Sequence, residues 1–196
     1  MQFGFEGILR MSVLTETVVE ADSETNEFGL DLERLELAWA PARWFKLHLG
    51  RSHTPLGYWN TAFHHAKWLQ TTSENPLLFK YEDEGGLLPL HVIGLRASGN
   101  VAFTSAVRLS YDLGVGNNRA STSDHPVSVN DLADRKAVYA GLHLAIAEAR
   151  FGVSGYAGST PGPTPGSELQ QEWIGVFDAS YVSNALEVLG EYAVFR

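Results

Sequence analysis

A serine and a histidine held face to face can act as nucleophile and general base, and the chain offers one such pair, His143 with Ser154, if it doubles back near residues 148–149. The surroundings do not extend that chemistry. GVSGY around Ser154 is not the G-x-S-x-G of a nucleophile elbow, and GVGNN at 114–118 lacks the Lys and Ser/Thr of a phosphate-binding loop. His64 and His65 are adjacent, so on a short helix over AFHHAKWLQTTSE they diverge instead of converging on a metal. Glu82, Asp83 and Glu84, with Glu74, make an anionic patch suited to Ca²⁺ or to bridging lipopolysaccharide through divalent ions, set against the plainer reading of a solvated loop. The sequence therefore predicts no enzyme, no catalytic residue, no metal site and no cofactor.

A second set of charged residues recurs with a spacing of two. Arg10, Arg34, Glu36, Lys46, His48, Arg108, Asp112, His143, Arg150, Asp178, Glu187 and Glu191 alternate with apolar neighbours, the two-residue period of a β-strand with unlike faces. A face of this kind resists dry burial, because isolated charges inside a core cost several kcal/mol. It asks for water, either as the solvent face of an antiparallel sheet or as the lining of a wet lumen. Both charge signs are present, so no strong ion selectivity is expected.

The elements that carry these residues read as nine strands, at about 3–19, 28–40, 44–52, 88–97, 101–113, 136–147, 150–158, 173–182 and 185–195. The fifth, VAFTSAVRLSYDL, is about twice the ~5–6 residues of an average strand. Connections alternate between short (41–43, 99–100, 148–149, 183–184) and long (21–27, 54–86, 114–134, 159–171), which puts all short turns at one end of the sheet. Pairing across 41–43 sets Leu35, Leu37 and Trp39 opposite Leu49, Leu47 and Phe45, with Glu36 opposite His48. Pairing across 148–149 sets Leu142, Leu144 and Ile146 opposite Gly155, Val153 and Phe151, with His143 opposite Ser154. The last hairpin, turning at 183–184, opposes Tyr181 with Leu186 and Phe177 with Gly190. A turn at 99–100 opposes Arg108 with His91 but sends Ile93 and Leu95 inward and Arg96 outward, where it would snorkel. Trp39, Trp44 and Tyr181 fall by the short turns, and Tyr111, Trp173 and Tyr192 toward the long loops, like two interfacial girdles.

Composition fits this picture. In 196 residues, 44% are hydrophobic and 19% charged, the net charge is -9, and only 14 residues are Lys or Arg, with no basic stripe to neutralise phosphates, so nucleic acid is not an expected partner. There is no cysteine, and no run approaches the ~20 apolar residues of a membrane-spanning helix.

At 50–95 the chain reads GRSHTPLGYWNTAFHHAKWLQTTSENPLLFKYEDEGGLLPLHVIGL. HTPLGYWN after a strand, the HHxxWLQT segment and EDEGGLLPLH leading into the next strand resemble porin-like outer-membrane proteins of Gram-negative bacteria. The resemblance implies an all-β, antiparallel, up-and-down transmembrane β-barrel as a single domain over 1–196. Nine strands do not close a bacterial barrel, which has an even number, and no signal peptide precedes them. The expectation is a fragment of a larger barrel of about sixteen strands.

On this reading the chain is part of an outer-membrane channel for passive diffusion of small hydrophilic solutes and ions. Its partners are outer-membrane lipid and lipopolysaccharide, with a single barrel and a homotrimer both open. Pore-lining residues are Arg34, Glu36, Lys46, His48, Arg108, Asp112, His143, Arg150, Asp178, Glu187 and Glu191. The long loop 54–86, with His64, His65, Glu82, Asp83 and Glu84, is expected to narrow the lumen or cover its mouth. Two alternatives stand beside it: a soluble, lectin-like β-sandwich binding module, and an outer-membrane hydrolase built on His143 and Ser154.

Overall fold

The two-residue alternation becomes a single antiparallel sheet in the computed structural model, which describes residues 2–5, 10–22, 27–63, 88–118, 136–160 and 168–196. A short β1 (Gln2–Phe5) precedes nine longer strands. These are β2 (Met11–Asp22), β3 (Glu27–Ala42), β4 (Phe45–His53), β5 (His91–Ala102), β6 (Val107–Gly116), β7 (Ala137–Ile146), β8 (Ala149–Thr160), β9 (Gln170–Val182) and β10 (Glu187–Phe195). One helix, α1 (Tyr58–Phe63), follows β4. Each strand pairs with its neighbours in sequence, and among the described residues β1 and β10 do not pair with each other, so the sheet is open. Connections at one end are 6–10, 43–44, 103–106, 147–148 and 183–186; at the other they are 23–26, 54–90, 117–136 and 161–169.

The two faces are inverted relative to an ordinary half-buried sheet. Leu37, Leu49, Leu113, Leu142, Phe151 and Phe177 lie on the exposed face, whereas Glu36, His48, His143, Ser154 and Asp178 are buried on the other at 4–7% exposure. The polar side is the inner face here, because the segment after β4 lies against it. On its long-loop half that segment contributes Leu56 and Leu88, both fully buried, to an apolar cluster with Val92, Tyr139, Tyr156, Ile174 and Val176.

In β3 the outward residues change phase, from Phe28, Leu30 and Leu32 to Leu35, Leu37 and Trp39. The register against β2 shifts at the same place, with Glu16 opposite Arg34 and Thr17 opposite Leu32. The extra residue, Glu33, is a β-bulge that keeps the apolar set on one face along the whole strand.

Three hairpins differ from the sequence-derived registers by two residues each. Leu37 is opposite Leu49 and Trp39 opposite Leu47; Leu142 is opposite Val153 and Leu144 opposite Phe151; Tyr181 is opposite Val188 and Phe177 opposite Tyr192. A shift of two exchanges partners and leaves every side chain on its expected face.

The fourth hairpin overturns its expected register. The chain does not turn at 99–100 but runs on to Ala102, which pairs with Arg108, so VAFTSAVRLSYDL is two strands around a bend at 103–106 and not one long strand. Gly99 is a buried mid-strand glycine, and a Cβ there would meet the Trp44 backbone. It serves close approach between strands and not a turn. The bend itself is held by Thr104, whose Oγ1 accepts from the backbone N–H of Val107 at 3.0 Å. In consequence Ile93 and Leu95 are exposed, and Arg96 lies on the inner face. Tyr111 moves as well: its hydroxyl donates to the carbonyl of Trp44 at 2.6 Å, at the short-turn end and not the long-loop end.

Candidate functional site

The inner face carries two clusters of charge. In the first, β3, β4, β5 and β6 supply one residue or more each. The Nδ1 of His48 lies 2.6 Å from Oε1 of Glu36 and its Nε2 lies 2.8 Å from Oγ of Ser98. A carboxylate only accepts, so Nδ1 is the donor to Glu36, and the Ser98 hydroxyl, which can donate or accept, meets Nε2. Arg96 completes the group, donating through Nη1 to Asp112 at 2.7 Å and through Nη2 to Glu36 at 3.1 Å. One guanidinium thereby bridges two carboxylates on nonadjacent strands, and the charges that would make this face costly compensate one another.

The second cluster joins β7, β8, β9 and β10 to the segment after β4. Arg150 donates to Asp178 at 2.7 Å and its guanidinium stands 4.5 Å from the centroid of the Tyr58 ring. The Nε2 of His143 is 3.8 Å from the second oxygen of Asp178. Glu191 accepts the backbone N–H groups of Tyr58 and Trp59 at 3.0 and 3.1 Å. Ser154 accepts the backbone N–H of Gly57 at 3.0 Å.

Beyond these clusters Arg34 on β3 pairs with Glu16 on β2 at 2.5 Å. Lys46 faces Ser98 across the β4–β5 pair. Arg108 and Glu187 are exposed beside the short turns, and Arg10 is exposed just before β2. His64, His65, Glu82, Asp83, Glu84 and Glu74 lie outside the described residues. The described remainder of that loop does reach the inner face, through Leu56, Leu88 and the contacts of Gly57 to Trp59.

His143 is opposite Gly152, and Ser154 is opposite Gly141, so the expected cross-strand pair is replaced by a diagonal one. The Ser154 hydroxyl is engaged with Gly57 instead. Sequence reasoning missed Arg96, Ser98 and Tyr58. The signal for Arg96 was local: Ile93 and Leu95 alternate with Gly94 and Arg96, and the arginine belongs to the polar phase once the turn is moved. Tyr58 had no local signal, because its partner Arg150 is distant in sequence.

Two hollows, about 450 and 360 Å³, open beside Trp173 and include none of the residues of either charge cluster. No group of three or more His, Asp or Glu among the described residues is arranged to hold a metal ion. No helix of the described residues is long and apolar enough to cross a membrane. No family model, curated protein or solved structure matches the chain.

Proposed function

We propose that this chain forms part of the wall of a porin-like outer-membrane β-barrel that passes small hydrophilic solutes and ions by passive diffusion. The observation that carries the reading is the inversion of the sheet: apolar side chains such as Leu113 at 61% and Phe151 at 53% exposure cover one face, while Glu36 and Asp178 are buried on the other. Full burial of a Leu or Phe side chain is worth about 1.5–3 kcal/mol, and among the described residues no second layer collects it. Hydrocarbon would collect it. A soluble sandwich needs a second sheet over the same face.

Connection lengths support the same reading, since short turns gather at one end and 54–90 and 117–136 at the other. In lipid the edges of β1 and β10 require partners, from further strands or another copy, because each unsatisfied backbone group costs several kcal/mol there. The apolar cluster around Leu56 covers the long-loop half of the inner face over β7, β8 and β9 and reaches Val92 on β5, so solutes would pass along the strip of Glu36, His48, Arg96 and Asp112. That strip carries both signs and would filter by size more than by charge.

The test is single-channel recording in a planar bilayer with the full-length protein refolded in detergent. Discrete conductance steps with weak ion preference are expected. Silence from protein shown to be folded and inserted would refute the channel.

A further inference from the structure

We propose that Glu191 is a positioning residue: its carboxylate on β10 holds residues 54–63 as a strap across the inner face and so sets how far the strap intrudes. The consequence for conduction rests on the channel reading, whereas the position of the strap does not.

The strap has two kinds of contact. At its root Thr54 donates two bonds to the returning chain, its N–H to the carbonyl of Leu90 at 2.9 Å and its hydroxyl to that of Pro89 at 2.5 Å. Asn60 closes back on Thr54, donating to its carbonyl and hydroxyl oxygens at 3.1 Å each. The Thr54 bonds anchor the root beside β5, and the Asn60 bonds shape the strap and would travel with it. Against the opposite wall Leu56 is buried among Tyr139, Tyr156, Ile174 and Val176, and the polar contacts are Glu191 to the N–H groups of Tyr58 and Trp59, Ser154 to that of Gly57, and Arg150 against the Tyr58 ring.

Among the polar contacts the carboxylate is the strongest holder, and it fixes the Tyr58 and Trp59 end beyond the buried Leu56. It makes two charge-assisted bonds, whereas Ser154 makes one neutral bond and Arg150 already has Asp178 for its charge. Gly57 adopts a φ of 73°, a left-handed turn that glycine takes freely. A Cβ at Gly57 would run into the Glu191 carboxylate, so the turn and the acid are fitted to each other.

The chain has no cysteine, so Ala62→Cys and Asn184→Cys give two unique spin-label sites, one on the strap and one at a short turn. The distance between them is read by pulsed electron resonance on the refolded full-length protein. A single narrow distribution is expected for the native strap, kept by Glu191→Gln, which retains an acceptor oxygen, and shifted and broadened by Glu191→Ala. If Glu191→Ala does not refold, Glu191→Asp, whose shorter side chain withdraws the carboxylate from both N–H groups, must give the displacement. An unchanged distance in the folded variant overturns the proposal. Conductance of the same samples is a separate question: larger steps in the displaced variant tie the strap to the pore, and silence throughout would refute the channel while the distances still decide the strap.

Discussion

Arg96 reaches Asp112 diagonally, Nη1 to Oδ1 at 2.7 Å, although its cross-strand partner is Gly114. Its second nitrogen continues to Glu36. Replacing Arg96 by Met would leave two carboxylates on the inner face without their shared cation. The expected loss is about 3 kcal/mol, the lower end for breaking a buried pair because the arginine is partly solvated. Urea unfolding of the refolded protein measures it, and a change within about 0.5 kcal/mol would mean that the network contributes little.

Gly114 also receives the Tyr139 ring from β7, its direct cross-strand partner. A Cβ at position 114 would collide with that ring. Gly114→Ala should cost about 1–3 kcal/mol by overpacking, and Tyr139→Leu in the same chain should recover part of it. A double-mutant cycle by equilibrium unfolding reports the coupling; independent, additive losses would count against the contact.

Leu142 stands on the exposed face, directly opposite Val153. If that face meets lipid, Leu142→Arg should cost about 2–4 kcal/mol for folding into vesicles, because a charge near the bilayer midplane has to be desolvated. On a water-exposed face the same change would fall within about 0.5 kcal/mol. The measured difference separates a membrane wall from a soluble sheet.

Removing Glu33 alone should be more disruptive than replacing it. The bulge it forms reconciles two phases of β3, and without it Phe28, Leu30 and Leu32 or else Leu35, Leu37 and Trp39 must turn inward. Deletion is expected to abolish cooperative unfolding, and Glu33→Gln to preserve it. Native-like cooperative unfolding by the deletion variant would show that β3 tolerates the slip.

The amino-acid sequence by itself determined which residues share a face. Side chains alternate with a period of two, so the errors of two residues at the hairpins of Trp39, Leu142 and Tyr181 changed partners without moving Glu36, His143 or Asp178 off the polar side. The phase slip between Leu32 and Leu35 was visible in the spacing and marks the bulge. Turn positions were not fixed by local residue type. Gly99 and Asn100 carry turn chemistry but lie within β5, because a glycine serves equally where another backbone comes close, and the oddly spaced error this caused sent Arg96 to the wrong side. Tertiary structure alone decided the strap. The bonds from Glu191 to Tyr58 and from Ser154 to Gly57 join distant parts of the chain, and nothing in either sequence neighbourhood encodes the other. They exist because the sheet brings β8 and β10 within reach of the segment leaving β4. Periodicity along one strand assigns side chains to faces, and only the assembled sheet decides which of those faces meet.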